Sequence, residues 1–141
     1  MPVLTVRQSR DRELIEELHR EIFPKDDMPS WNGNVFWVAT CENHYAGYCS
    51  ARRIDPWTVF FSMAGVLPGY RGRGIHRRMV DVRLRWARSW RCEYAITYAL
   101  PGNWSSVASL IRQGFEVYEP KYAWVGDNVV YLRLPLLPEA A

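Results

Sequence analysis

A glycine- and arginine-rich turn constrains the fold of this chain more than any other feature of its sequence. Residues 66–75 read V-L-P-G-Y-R-G-R-G-I; they follow an aromatic, β-branched run and open an amphipathic helix. Gly72 and Gly74 let backbone N–H groups turn toward an anion, and the helix N-terminus adds partial positive charge. The turn therefore predicts a phosphate-binding site in a strand-turn-helix unit, and a turn without a ligand is the alternative. Positive charge in and just after the turn comes from Arg71, Arg73, Arg77 and Arg78.

Strand-like and helix-like patterns alternate along the rest of the sequence, without a repeat or a linker. Amphipathic helices are predicted between residues 9 and 24, 72 and 90, and 103 and 113. With the strands between them, this order predicts a single mixed α/β domain over residues 1–141. The predicted strands comprise residues 3–7, 35–41, 45–54, 57–66, 93–98, 115–118, 122–125 and 128–134.

Arginine is concentrated in one part of the chain. The formal net charge is only +3, which does not indicate a nucleic-acid or membrane partner, yet eight arginines lie between Arg71 and Arg91. One alternative is a nucleic-acid-binding face on the helix. The positions are scattered around the helix and Asp81 interrupts them, so a solvated face around an apolar stripe is favoured, and the stripe is expected to hold Trp86 and Trp90 in the core. The arginines that would bind nucleic acid are Arg77, Arg78, Arg83, Arg85, Arg88 and Arg91.

The cysteines and the apolar runs indicate a reducing compartment. Cys41, Cys49 and Cys92 are odd in number and lack C-x-x-C spacing, so neither a disulfide scaffold nor a metal site is expected. The N-terminal segment has no apolar core, and no run approaches the ~20 residues of a membrane span. The expected location is the cytoplasm, without membrane contact.

Two motifs in the correct order carry a resemblance to a known family. The turn resembles the acetyl-coenzyme A (acetyl-CoA) signature V-x-P-x-Y-R-G-x-G-I of the GNAT N-acetyltransferase superfamily. Residues 103–115 resemble the later pattern N-x-x-A-x-x-x-Y-x-x-x-G-F, and Gly47 falls where a strand of the family carries a glycine. The resemblance implies a mixed sheet of about six to seven strands, splayed in the middle and flanked by about four helices.

The resemblance also implies acetyl-CoA as the acetyl donor and a direct attack by a substrate amine, without an acyl-enzyme. Backbone groups of Ala64, Gly65 and Val66 would face the pantetheine arm and the acetyl carbonyl, and an N–H there would stabilise developing negative charge. Asn103 and Ser106 would contact the arm from the other side. The pyrophosphate would lie against Arg71, Gly72, Arg73, Gly74, Ile75 and His76.

Three residues depart from the family pattern. His76 stands where the family has Gly or Ala, either as a further phosphate contact or as an exposed side chain. Leu110 stands where a frequent tyrosine acid lies, and residues 57–63 lack the glutamate that many members use as a base. Tyr98 is the candidate acid that remains, with a ring packed between sheet and helix as the alternative.

The acceptor is expected to be a small-molecule or peptide amine. Asp26, Asp27 and Trp31 would form an acidic, aromatic-edged pocket for a cationic amine, and a solvated loop with one buried Trp is the alternative. His19 and His44 are expected at the surface, and a homodimer is a further expected partner. Two other classes stay open: a cofactor-binding module that has lost the chemistry, and the nucleic-acid binder described above.

Overall fold

The computed structural model describes residues 3–136, which form a seven-stranded sheet, three α-helices and one short 3-10 helix. The ends of the predicted domain, residues 1–2 and 137–141, lie outside the described residues. Residues 3–136 contain three α-helices, where about four were expected for the domain. The elements are β1 Leu4–Ser9, α1 Arg12–Ile22, β2 Val35–Cys41, β3 His44–Asp55, β4 Thr58–Val66, the 3-10 helix Pro68–Tyr70, α2 Ile75–Ser89, β5 Tyr94–Ala99, α3 Trp104–Arg112, β6 Glu116–Val117 and β7 Val130–Pro135.

The sheet consists of an antiparallel meander joined to a second set of strands by one parallel pair. Its order is β1-β2-β3-β4-β5-β7-β6, and only β4 and β5 run parallel. This confirms the mixed sheet of six to seven strands. The predicted strand 122–125 is wrong, because this segment turns back on itself and is held by the Tyr131 hydroxyl. That hydroxyl accepts from the Val125 N–H at 2.9 Å and donates to the Gly126 carbonyl at 2.7 Å.

Strands β4 and β5 separate halfway along their length, which confirms the predicted splay. They pair from Thr58–Tyr94 to Phe60–Ile96. The next link is made by a side chain, because the Thr97 hydroxyl donates to the Phe61 carbonyl at 2.9 Å. Beyond this point, the second half of β4 keeps β3 as its neighbour and leaves its other edge open.

A register shift accompanies the splay. Ser50 pairs with Met63 and Ala51 pairs with Phe61, so Ser62 is the extra residue of a bulge in β4. The Ser62 hydroxyl donates to Asn34 Oδ1 at 2.7 Å and lies 2.8 Å from the Ser50 hydroxyl. Since a bulge bends its strand, it turns the second half of β4 away from β5.

Helix α1 covers one face of the sheet. It begins where the Asp11 carboxylate accepts from the Leu14 N–H at 3.2 Å, and it buries Ile15 and Leu18. His19 is buried as well, so its predicted surface position is wrong; His44 is exposed as expected.

His19 is buried because both of its ring nitrogens find partners. Nε2 lies 2.7 Å from the Asp26 carbonyl and Nδ1 lies 2.6 Å from the Tyr48 hydroxyl. A carbonyl oxygen can only accept, so Nε2 carries the proton and the Tyr48 hydroxyl donates to Nδ1.

Helices α2 and α3 cover the other face and enclose the larger core. Trp86 packs edge-to-face on Trp37 with ring centroids 5.7 Å apart. Trp90 is 51% exposed and the Arg53 guanidinium lies 4.2 Å from its ring, so its predicted core position is wrong. The helix ends at Ser89, and Trp90 therefore leaves the helical periodicity that would have turned it inward. None of the described helices is long and apolar enough to cross a bilayer.

Candidate functional site

A cleft of about 1180 Å³ lies between the open half of β4, the start of α2 and helix α3. It contains every cofactor residue predicted from the sequence except Arg73. The end of α1 closes one side through Ile22 and Phe23. The lining residues are Ile22, Phe23, Ala64, Gly65, Val66, Tyr70, Arg71, Gly72, Gly74, Ile75, His76, Arg77, Asp81, Asn103, Ser105, Ser106, Ser109, Arg112 and Gln113.

The backbone of β4 presents groups to this cleft that no neighbouring strand pairs. The Leu67 N–H donates to the Ala46 carbonyl at 2.8 Å, toward β3. Because backbone groups alternate along a strand, those of Gly65 also point toward β3, while those of Ala64 and Val66 point into the gap. The Val66 carbonyl accepts from Arg71 Nε at 3.2 Å, which agrees with this direction.

Two glycines allow the close approach of β3 and α1 to β4. A Cβ on Gly47 would overlap the carbonyl oxygen of Gly65, so β3 approaches β4 backbone to backbone at this point. A Cβ on Gly65 would lie 2.5 Å from Ile22 Cγ2 and 2.6 Å from the Phe23 ring. The end of α1 therefore packs directly on the strand that carries the open edge.

The turn before α2 directs N–H groups into the cleft. Gly72 and Gly74 have φ of 78° and 79°, a left-handed conformation that favours glycine. Gly74 caps α2 without a side-chain hydrogen bond, and the first turn contains no acidic residue. The first N–H groups of the helix, together with the helix dipole, therefore form a site suited to an anion.

The two arginines of the turn point in different directions. Arg71 lines the cleft. The guanidinium of Arg73 lies 5.3 Å from the Tyr70 ring, and its Nη1 lies 3.8 Å from Cys41 Sγ. Of these two side chains, that of Arg71 faces the cleft, and that of Arg73 packs behind the turn.

A polar cluster that the sequence did not predict joins α2 to α3 across the cleft. His76 Nδ1 lies 3.1 Å from the Ser109 hydroxyl, which also accepts from Gln113 Nε2 at 3.2 Å. Gln113 Oε1 is buried without a hydrogen-bond partner among the described residues. The sequence pattern that could have predicted this cluster is the helical spacing of the polar residues Ser106, Ser109 and Gln113.

His76 is neutral at physiological pH. Burial, and to a lesser extent the positive charge of Arg83, lower its pKa from 6.5 to about 4. A neutral imidazole both donates and accepts one hydrogen bond, so His76 can bridge Ser109 and a ligand group without adding charge.

We expect His76 to make the fold sensitive to acid. Its folded-state pKa lies below the unfolded value, so its contribution is complete above pH 6.5 and is lost as the pH falls toward 4. The loss is about 3 kcal/mol of unfolding free energy. Urea unfolding between pH 4 and 7 should show it, and His76→Gln should flatten the profile in this window. His44→Gln, at an exposed site, should leave the profile as in the wild type; an unchanged profile in His76→Gln would contradict the assignment.

Helix α3 contributes its N-terminus and its polar face, but no acid at the family's tyrosine position. Asn103 Oδ1 accepts from the Ser106 N–H at 3.4 Å. Leu110 is buried in the core beside Val107. No phenol therefore reaches the cleft from this position.

Tyr98 does not line the cleft. Neighbouring residues Ala95 and Ala99 pack in the core beneath α2 and α3, so alternation along β5 places Tyr98 on the opposite face. There its ring stacks on Phe60 at 6.1 Å and meets the edge of Trp124 at 5.7 Å. Tyr98 thus lies in an aromatic cluster on the face covered by α1.

The predicted acceptor residues also lie outside the cleft. Asp26 and Asp27 are exposed, and the Asp26 carbonyl is the one held by His19. Trp31 packs on Phe36 with ring centroids 4.5 Å apart and is covered by the Arg12 guanidinium at 5.1 Å. The structure does not bring these three residues together with the predicted cofactor residues.

The arginines of α2 do not form one face. Arg77, Arg78, Arg85 and Arg88 are exposed, whereas Arg83 is 2% exposed and lies inside the core. Arg83 is therefore not available for the nucleic-acid-binding face that was considered as an alternative. The sequence pattern placed Arg83 at the surface because a guanidinium is rarely buried without a charged partner.

Comparison with known proteins identifies the fold. The family model described as the acetyltransferase (GNAT) family matches residues 5–115. No functionally curated protein matches the sequence significantly.

Solved structures of acetyltransferases superpose on nearly the whole chain. A GNAT family acetyltransferase from Staphylococcus aureus Mu50 has a TM-score of 0.80 at 16% identity, covering 96% of this chain and 100% of that one. One from Elizabethkingia anophelis, solved with acetyl-CoA bound, has 0.77 at 11%, covering 94% and 97%. The ribosomal-protein-S18-alanine N-acetyltransferase from Escherichia coli has 0.77 at 11%, covering 99% and 97%. At these identities the likeness concerns the fold.

Proposed function

The chain belongs to the acetyltransferase (GNAT) family, and from this membership we propose that it is an N-acetyltransferase that moves an acetyl group from acetyl-CoA to an amine within a ternary complex. One observation carries the proposal. The open edge of β4 and the uncapped N-terminus of α2 face the same cleft, so a chain of amide donors and acceptors leads directly to an anion site.

The residues of the cleft fit acetyl-CoA. The volume of about 1180 Å³ admits a ligand of this length, and Arg71 with the first turn of α2 matches a pyrophosphate in charge. Ala64 and Val66 offer strand-like hydrogen bonds to a pantetheine arm, and Asn103 faces them from α3. When bound, acetyl-CoA would supply a thioester whose carbonyl carbon bonds to the amine nitrogen, while the C–S bond breaks, its electron pair stays on sulfur and the proton lost by the nitrogen passes to water.

The Ala64 N–H is the donor best placed to stabilise negative charge on the acetyl oxygen. It lies in the gap next to the bulge, and it needs no rearrangement to donate because its own strand leaves it unpaired. A fixed backbone donor of this kind stabilises developing charge without a reorganisation cost.

The described cleft lacks the family's usual acid and base. Leu110 replaces the tyrosine, and the one carboxylate in the lining is Asp81, in the second turn of α2. An amine must then arrive with little help in losing its proton. An α-amine, with a pKa of about 7.8, is partly neutral at pH 7, whereas a lysine amine, at about 10.4, is almost fully protonated. We therefore favour a weakly basic amine, such as a peptide or small-molecule α-amine, as the acceptor.

The acceptor would reach the thioester through the gap from the face covered by α1. This face presents hydrogen-bonding groups beside the bulge, where Ser62 bonds to Asn34 and Ser50. Tyr98 lies on the same face with Phe60 and Trp124. These residues, rather than Asp26, Asp27 and Trp31, adjoin the gap.

Acetyl-CoA should raise the melting temperature by several degrees, which corresponds to about 2.7 kcal/mol at a hundredfold excess over its Kd. Arg71→Ala should weaken binding by about 2 kcal/mol, roughly thirtyfold in Kd, because it removes a charged contact. Arg73→Ala is the matched control and should bind within about threefold of the wild type, since its side chain points to Tyr70 and Cys41. Calorimetric titration of both variants checks this. Equal losses in the two variants, or no shift in the wild type, would count against the site.

A module that binds the cofactor without turnover is the second candidate, and the burial of Leu110 favours it. Thioester turnover against a panel of α-amines and lysine-like amines separates the two. Free thiol released only when an amine is present supports the transferase, and a thermal shift without any turnover supports the binding module.

A further inference from the structure

Arg83 is a buried guanidinium held by carbonyl oxygens and an aromatic face. It is 2% exposed, and its Nε donates to the Met79 carbonyl at 3.0 Å. Its Nη1 donates to the carbonyls of Ser50 and Met63, each at 3.4 Å, and Cζ lies 4.3 Å from the centroid of the Phe61 ring. The side chain therefore reaches from α2 to Ser50 and Met63, the pair of β3 and β4 that adjoins the bulge at Ser62.

The charge of Arg83 has no acidic partner in residues 3–136. The ion pair found there joins Arg133 to Glu116, and no carboxylate oxygen approaches Arg83 within 4.0 Å. Burying an unpaired charge costs much more free energy than burying an apolar side chain of similar length. Packing alone thus gives no reason for an arginine here, because methionine would fill the space without this cost.

The hydrogen bond to Met63 acts on the donor that faces the gap. The Met63 carbonyl and the Ala64 N–H belong to the same peptide unit. A cation that binds the carbonyl draws electron density through the amide and makes the N–H a stronger donor. Arg83 thereby links the core beneath β4 to the atom that would contact the acetyl oxygen.

The field of Arg83 also reaches the cleft. Its positive charge contributes to the lowered pKa of His76, which lines the cleft, and it opposes the effect of burial on the Cys49 thiol. These two residues, His76 on α2 and Cys49 on β3, are the titratable groups that interact with Arg83. The carboxylate in the cleft lining, that of Asp81, forms no ion pair with Arg83.

We propose that Arg83 is a positioning residue for acyl transfer, which holds the bulge so that the Ala64 N–H faces the gap and which stabilises, by its unpaired charge, the thiolate that leaves when the C–S bond breaks. The inference rests on the proposed function. It accounts for thiolate departure at a site where Leu110 replaces the proton donor, since a thiolate stabilised by a fixed cation needs no acid.

Equilibrium binding of coenzyme A (CoA) and desulfo-CoA, which lacks the thiol, tests this without turnover. In the wild type, the affinity for CoA relative to that for desulfo-CoA should increase about tenfold between pH 7 and 9.5. This increase corresponds to a pKa of the bound CoA thiol that is lowered by about one unit. The comparison removes the contributions of His76 and Cys49, because both ligands experience them equally. Arg83→Lys should keep most of this gain and Arg83→Met should lose it.

Turnover gives the second readout. We expect Arg83→Met to lower kcat about thirtyfold with KM for acetyl-CoA little changed, and Arg83→Lys to restore part of kcat. The melting temperature of Arg83→Met should not fall below that of the wild type, because an apolar residue replaces an unpaired charge. If Arg83→Met fails to fold, Arg83→Gln takes its place, since glutamine keeps a donor for the carbonyls and removes the charge.

The outcomes separate the two proposals. If the neutral variants keep the pH-dependent preference for CoA, or keep wild-type kcat, the role of Arg83 is overturned and the acetyltransferase proposal stands. If wild-type protein binds neither CoA nor desulfo-CoA, the proposed function itself fails. A loss of the preference in the neutral variants, with retention in Arg83→Lys, supports the role.

Discussion

Replacing Gly47 by alanine should destabilise the protein by about 3 kcal/mol and weaken acetyl-CoA binding at the same time. The new Cβ would overlap the Gly65 carbonyl, which is backbone and cannot rotate away. Strand β3 or β4 must therefore shift. Because β4 carries the open edge, its displacement moves the Ala64 and Val66 groups out of line. Chemical denaturation and calorimetric titration of the same variant check both effects.

Gly69→Ala is the matched control for this substitution. A Cβ at Gly69 would have no heavy atom within 4 Å, and the residue does not have a positive φ. We expect its unfolding free energy to stay within about 0.5 kcal/mol of the wild type. A Gly47→Ala protein as stable as the Gly69→Ala protein would contradict the close approach of β3 to β4 at Gly47.

Removing the Ala64 N–H should have the largest effect on turnover. Replacing Ala64 by lactic acid, its α-hydroxy acid, exchanges the amide N–H for an ester oxygen without adding atoms to the gap. We expect kcat to fall about a hundredfold while the Kd of acetyl-CoA changes little, since the lost hydrogen bond matters most when charge develops. Steady-state kinetics on the semisynthetic or suppressor-derived protein measures this.

Two further esters make the result specific. The same exchange at Val66 removes the other N–H that faces the gap and should weaken binding more than kcat. At Gly65 the N–H points toward β3, so the ester should reduce stability and leave kcat near the wild-type value. A similar loss of kcat at all three positions would indicate general damage to the strand and would contradict the assignment to Ala64.

The sequence alone was sufficient to predict the local backbone features around the cleft. The turn at Gly72 and Gly74 and the starts of α2 and α3 all depend on neighbours a few residues away. Turn and cap chemistry of this kind can be read from spacing. The predicted cleft residues therefore lie together, apart from Arg73.

Two of the misplaced residues, His19 and Arg83, depend on contacts between distant segments, and Trp90 depends on where its helix ends. His19 is buried because Tyr48, on another element, accommodates its ring, and Arg83 is buried because two carbonyls at a bulge accept its donors. Trp90 is exposed because α2 ends at Ser89, one residue before the last position of the predicted apolar stripe. Composition rules assign a typical exposure to each residue type, and they fail where a partner far along the chain satisfies a polar group.

The split between β4 and β5 has a mechanical consequence. Along this line, the described residues of the N-terminal meander and of the C-terminal strands are connected by three residue pairs, by the Thr97 hydroxyl and by the Trp57 carbonyl, which accepts from the Glu93 and Tyr94 N–H groups. The sheet thus consists of two parts, β1–β4 and β5–β7, which few hydrogen bonds join. The core beneath α2 and α3 provides further contacts between the two parts. A ligand bound in the gap between β4 and β5 would add contacts between the two parts of the sheet. We therefore expect ligand binding to slow amide hydrogen exchange along β5 and β7 as much as at the residues of the cleft.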